Sequence, residues 1–163
     1  MPWQGACSVS SPGPDLLALE KWVADALSAL DAPARRKLFA KLGRELRKRN
    51  RKRMTAQTGP DGERWQPRAK DAGKKVRERA KMMVGLRDDR RLLLSTSPAG
   101  LDLGWAGAAA RIAAVHHHGE FDLVAPNSNT KVRYPQRRLI GLPAGDLDYV
   151  RQQLLDLLAT GSA

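Results

Sequence analysis

A chain of 163 residues in which Lys and Arg outnumber Asp and Glu by 29 to 17 has the size of one domain and a formal charge of +12, and at that length a single core can bury roughly 70% of the unfolded surface. The single cysteine, Cys7, excludes an internal disulfide framework and a thiolate zinc site. No stretch approaches the roughly 18 apolar residues of a membrane span, so a soluble protein with no membrane partner is expected. The charge is segregated: residues 1–34 sum to −3, 35–53 to +10, 54–63 to −2, 64–91 to +7 and 92–163 to zero. That asymmetry favours an anionic partner for the front half.

Residues 1–14 carry Gly, Ser and Pro without a basic region followed by an apolar run, and read as a disordered N-terminal tail. A single domain is expected over 15–160, opening with a helical hairpin over 15–57. Its first helix, 15–30, has an apolar stripe of Leu16, Leu19, Val23, Leu27 and Leu30. Asp31 and Pro33 then break and restart the chain, because proline is tolerated in a first turn and an aspartate ahead of it caps free amides. The second helix is predicted over 33–55 and holds eleven Lys or Arg residues between positions 35 and 53 against one acid, Glu45. Leu38, Phe39, Leu42 and Leu46 share one stripe, with Arg36, Lys37, Lys41, Arg44, Arg47 and Lys48 opposite. The apolar stripe stops at Leu46, so the last turns are expected to project from the body as a basic arm.

A loop-rich basic segment follows over 58–90. Gly59, Pro60, Asp61 and Gly62 form a strong turn signal. Trp65 and Pro67 are placed to anchor the loop, 68–79 is expected to be mobile alone and ordered on assembly, and 81–86 supplies a short helical turn. Over 91–142 the pattern predicts a small antiparallel sheet with an inserted helix: strands at 92–97 and 101–105 around the turn Pro98, Ala99, Gly100, a helix over 107–117 ended by Gly119, and strands at 121–124 and 131–134. Leu147, Val150, Leu154, Leu157 and Leu158 define a closing amphipathic helix within 143–160. The fold class is α+β.

His116, His117 and His118 invite a metal or catalytic reading, but consecutive helical residues diverge by 100°, so three adjacent imidazoles do not converge on one ion. No phosphate-binding glycine loop and no nucleophile elbow is present. An enzyme, a cofactor and a metal are therefore not expected. Basic charge comes without interleaved aromatics for base stacking, so any contact with DNA would be to phosphates and independent of sequence.

Taken in order, several motifs carry a family resemblance: the Arg/Lys run ending in Gln57; Pro60-Asp-Gly-Glu-Arg-Trp65 with Pro67-Arg68; Lys81-Met82; Ala110-Arg-Ile-Ala-Ala-Val-His116 ending at Gly119; and Val132-Arg-Tyr-Pro-Gln-Arg137 running into Leu139-Ile-Gly-Leu142. Over roughly residues 16–158 the chain resembles the virion morphogenesis, or tail completion, family of contractile-tailed bacteriophages. The resemblance implies a structural protein at the head-proximal end of the tail, a ring-forming subunit, commonly hexameric, that helps join tail to head. The implied partners are other copies of itself and the connector, tail terminator, tail tube or sheath, with sequence-independent contact to genomic DNA in the lumen. The implied location is the neck of the virion, after assembly in the host cytoplasm. A tail terminator and a DNA-binding accessory protein are the alternatives. Arg44, Arg47, Lys48, Arg51 and Lys52 are expected to dock on acidic subunits or DNA phosphates, and Trp65, His116, Gly119, Tyr134, Pro135 and Arg137 to form a structural motif.

Overall fold

The computed structural model describes residues 18, 21, 24, 25, 28, 30–67, 81–124 and 129–160. The elements run α1 (Ala32–Ala56), a 3-10 turn (Gly85–Arg87), β1 (Leu93–Ser97), β2 (Gly100–Gly104), α2 (Gly107–His118), β3 (Phe121–Leu123), β4 (Lys131–Arg133) and α3 (Ala144–Thr160). This is the expected α+β class. Within the first expected helix, positions 18, 21, 24, 25 and 28 are helical and exposed. The N-terminal tail, most of that helix's apolar stripe and the 68–79 loop lie outside the described residues.

Helix α1 begins where the sequence predicts a restart. The Asp31 carboxylate accepts the Ala34 amide at 2.8 Å, and proline occupies the first turn. Its C-terminus is closed by Gln57 in the left-handed conformation, φ 60°. The Gln57 side chain then does a second job. Its amide donates to the carbonyls of Met54 at 2.7 Å and Met82 at 3.1 Å, and its carbonyl oxygen accepts the Met82 amide at 2.7 Å. One carboxamide thereby closes the helix and ties in a segment 25 residues away. The turn at Gly59–Gly62 follows, with the Gly62 amide donating to the Gly59 carbonyl and an antiparallel bridge joining Thr58 to Arg64.

Two apolar clusters lie along α1. Toward its N-terminus, Leu38, Phe39 and Leu42 pack with Leu154 of α3, with Tyr149, Val150 and Leu157 at the margin. Toward its C-terminus, Met54 joins Trp65, Met82, Leu86, Leu92, Trp105, Ala113 and Leu139. The buried indoles of Trp65 and Trp105 are both satisfied, Trp65 Nε1 donating to the Arg138 carbonyl at 3.2 Å and Trp105 Nε1 to the Leu86 carbonyl at 2.7 Å. The β1–β2 hairpin lies over the middle of α1, in register from Leu93 opposite Gly104 to Ser97 opposite Gly100. Leu94 lies against Gly43, where a Cβ would come within 2.6 Å of Leu94 Cδ1. That close approach accounts for a glycine in a helix interior, where it otherwise costs about 1 kcal/mol relative to alanine. The β3–β4 ribbon pairs Phe121 with Arg133 and Leu123 with Lys131. The strands therefore form two separate ribbons of two rather than one continuous sheet.

The expectation of a projecting basic arm is corrected. Beyond Leu46 the inner face of α1 continues through Asn50 and Met54, both fully buried. Asn50 Nδ2 donates to the Leu46 carbonyl at 2.9 Å and Oδ1 accepts the Gly141 amide at 3.1 Å. This polar residue extends the core face because its hydrogen-bonding groups are met from a segment 91 residues away. Beside it Asp146, with a side chain only 4% exposed, accepts Arg49 Nη1 at 3.1 Å and Arg53 Nη2 at 2.8 Å. The helix is clamped to the body over its whole length.

Replacing Asp146 with alanine leaves two neighbouring guanidinium groups of α1 without their shared carboxylate in a partly buried seam, and loss of one partner of such a pair costs on the order of 3 kcal/mol. Urea unfolding of Asp146→Ala should show that loss, at an unchanged dependence on denaturant. A cost below about 0.5 kcal/mol would refute the clamp.

Candidate functional site

Beyond Arg36 the nine remaining cations of α1 separate into three sets. On one flank, Arg47 and Arg51 turn to Asp89 in the loop before β1; Arg47 Nη2 pairs with its carboxylate and Arg51 Nη1 lies 2.5 Å from Oδ1. These two guanidiniums hold the Asp89 carboxyl below the usual carboxylate range, the hydrogen bond from Arg47 being the largest cause. On the other flank, Arg49 and Arg53 reach Asp146, Arg49 Nε also donates to Glu45 Oε1 at 3.0 Å, and its guanidinium stacks 4.3 Å above the Tyr149 ring. Between the flanks stands the third set: Lys37, Lys41, Arg44, Lys48 and Lys52, all exposed. Their spacings of four, three, four and four residues put them in one line down the helix.

Of the residues expected to dock, the structure brings Arg44, Lys48 and Lys52 together on this stripe and turns Arg47 and Arg51 away to Asp89. Lys37 and Lys41 complete the stripe. The expected docking set omits them, although their helical spacing was legible. The stripe is electrostatically uncomfortable. Each consecutive pair is a like-charge i,i+3 or i,i+4 neighbour costing about 0.2–0.5 kcal/mol. Among the described residues only Lys48 pairs with an acid, Glu45 at 3.8 Å, and Lys48 remains 80% exposed.

A second constellation sits where α2 ends. Gly119 closes the helix at φ 73°, and its amide donates to the Val115 carbonyl at 2.9 Å. A Cβ there would press to 3.1 Å from the Gln136 backbone nitrogen. Arg137 is buried, with Nε donating to the Gln66 carbonyl at 2.9 Å, Nη2 to the Pro67 carbonyl at 3.2 Å and Nη1 within 3.3 Å of His116 Nδ1. Its amide donates to the His116 carbonyl at 2.6 Å. The His116 ring meets Tyr134 edge-on at 4.9 Å, and the Tyr134 hydroxyl donates to the Leu123 carbonyl at 3.3 Å. Pro135 adds its carbonyl to the Arg137 cage at 3.5 Å. Trp65, His116, Gly119, Tyr134, Pro135 and Arg137 thus stitch the loop after α1, the end of α2 and the exit of β4 into one seam. Beside it lies a groove of about 1020 Å³ whose lining includes Met82, Val124, Val132 and Tyr134.

The three histidines do not act as a set. His116 faces Tyr134, while His117 and His118 meet edge-on at 4.8 Å. Among the described residues no three His, Cys, Asp or Glu side chains are grouped to hold a metal ion. His117 Nδ1 accepts the Leu139 amide at 3.2 Å, which requires the neutral ring. Burial, then the neighbouring His118 and Arg138, push its pKa below the ordinary histidine value.

These geometries describe a protein of surfaces and seams, with structural ties where the motifs fall. The model of the phage virion morphogenesis family matches residues 15–159. The chain belongs to the phage virion morphogenesis family. It is 31% identical over 134 residues to tail completion protein S of Escherichia phage P2, an alignment covering 79% of this chain and 87% of that protein. No solved structure matches the chain. Among the described residues no helix is long and apolar enough to cross a membrane.

Gly119→Val should destabilise the fold by about 2 kcal/mol or more, combining a left-handed backbone with a β-branched side chain pressed on Gln136; an unchanged melting temperature would refute the placement. His117 supplies a pH dependence. Its folded pKa lies below the unfolded value of about 6.5, so its contribution is complete above that pH and is lost as pH falls through the folded pKa. The melting temperature should therefore drop on acidification below about pH 6.5, and His117→Gln should flatten that drop while keeping an acceptor for Leu139.

Proposed function

We propose that this protein completes the tail of a phage as a structural component without catalytic activity, acting at the head-proximal end of the tail in the neck of the virion. It assembles there, in the host cytoplasm, as a ring of six copies that joins tail to head through the connector, tail terminator, tail tube or sheath. Membership of the virion morphogenesis family and the similarity to a tail completion protein support the role. The single structural observation that carries the assembly reading is the β3–β4 ribbon. Among the described residues its strands pair only with each other, so neither outer edge has a further strand beside it. Two short strands are marginal alone, and an open edge is a template for another chain. The ribbon also bears Phe121, 67% exposed, with Val124 and Val132 exposed nearby. An aromatic of that size left in water beside such strand edges fits a contact completed by a neighbouring subunit.

Native mass measurement across a concentration series, together with complementation of a phage lacking the gene, tests this reading. The expected results are an assembly of about six times the 17.9 kDa subunit, either free or on isolated tails, and tails that fail to join heads when the protein is missing. Phe121→Asp should fold but neither assemble nor complement. Full complementation by a monomeric Phe121→Asp protein would overturn the ring, and infectious particles formed without the gene would overturn the tail role.

A further inference from the structure

We infer that the outer stripe of α1, formed by Lys37, Lys41, Arg44, Lys48 and Lys52, binds the phosphate backbone of duplex DNA without regard to sequence. The inference stands on the stripe alone and does not depend on ring assembly. Four of its five members are lysines, the residue depleted from protein–protein interfaces, where arginine and aromatics are enriched instead. No apolar or aromatic side chain lies in the line to serve as the buried anchor that a protein partner would need. The apolar surface that could serve that purpose is elsewhere, at Phe121 and Val124. Lysine ammonium groups are strongly hydrated point charges that suit a diffuse, repeating anion better than a fixed bidentate one.

The dimensions agree with a linear polyanion. Fifteen residues separate Lys37 from Lys52, a run of roughly 22 Å along a helix. Over the same axial length one strand of duplex DNA presents about six phosphates, at 3.4 Å each. The flanking arginines sharpen the selection. Arg47, Arg49, Arg51 and Arg53 are held by Asp89, Glu45 and Asp146, so beyond Arg36 the exposed cations of the helix lie in one line. With no base-stacking aromatic and no hydrogen-bonding amide on the stripe, the contact carries no sequence information.

Fluorescence anisotropy of two unrelated duplexes, titrated with the full chain between about 50 and 200 mM salt, tests the inference. Five phosphate contacts predict a slope of log affinity against log salt of about −4.5, equal for both duplexes. Lys41→Gln/Lys48→Gln/Lys52→Gln should make the slope shallower by about 2.7, whereas the same three positions changed to arginine should keep it, and Arg151→Gln on α3 should leave it unaltered. The glutamine variant relieves like-charge neighbours, so its melting temperature should equal or exceed the parent's. Equal slopes for the parent and the glutamine variant would overturn the inference, as would absence of binding at the lowest salt or tighter binding to poly-glutamate or anionic vesicles than to duplex. Because assembly and complementation do not enter this measurement, its failure leaves the tail-completion reading intact, and the converse also holds.

Discussion

Asp146 stands at the start of α3 and takes one hydrogen bond from each of two arginines a turn apart on α1, Arg49 and Arg53. The fold depends on this junction, because α1 spans both apolar clusters and must lie flat on the body while carrying eleven cations between positions 35 and 53. Apolar burial alone would hold its first half, where Leu38, Phe39, Leu42 and Leu46 face inward. In the second half the inward positions are Asn50 and Met54, flanked by arginines whose desolvation opposes burial. A carboxylate at the α3 terminus and the Gly141 amide on Asn50 convert that half from a solvated arm into a packed seam. The position is also electrostatically apt, since the first turn of a helix favours an anion.

Much of this was legible because the chain is strongly punctuated. Asp31 and Pro33, the Gly59–Gly62 turn, Pro98 to Gly100 and Gly119 each fix a boundary through a local requirement, a cap, a fixed φ or a left-handed residue, and the elements begin and end within about three residues of those marks. The failure came at Leu46. Its stripe continues at the same four-residue spacing through Asn50 and Met54, but an asparagine among arginines reads as a solvated position unless its partner is known. That partner, Gly141, and the acid for Arg49 and Arg53 lie more than 85 residues away in the chain, beyond anything a local period encodes. The separation of the strands into two ribbons was illegible for a related reason: three-residue strands such as β3 and β4 carry too little alternation to announce which edge they join.

The candidate site was legible as composition and illegible as geometry. Eleven cations between positions 35 and 53 stand out in the composition, but only the fold divides those beyond Arg36 into those already neutralised and those presented. In retrospect the division is written in residue type. The flanking positions that reach carboxylates or carbonyls are all arginines, 47, 49, 51 and 53, each offering a planar fork suited to hydrogen bonding at modest dehydration cost. The outward line is lysine at four of five positions. Lysine serves badly in a crowded seam and well in water, where its charge stays mobile on a flexible stem.

That sorting gives the two halves of the helix surface different sensitivities. Ties such as those of Arg53, half sheltered and shared between Asp146 and the Gly141 carbonyl, are weakly screened by salt and hold the helix in place at any ionic strength. The exposed stripe is screened readily, so its repulsion is tolerable in solution and its attraction grows only against a dense row of fixed anions. Neutralising the line by a polyanion removes the like-charge cost along α1 at the same time as it releases counterions. Binding and stability are thereby linked with the same sign: whatever occupies the stripe should tighten α1 onto the body rather than pry it away. A helix fastened by arginines on its flanks and left cationic along its crest can meet such a partner without giving up any contact that builds the fold.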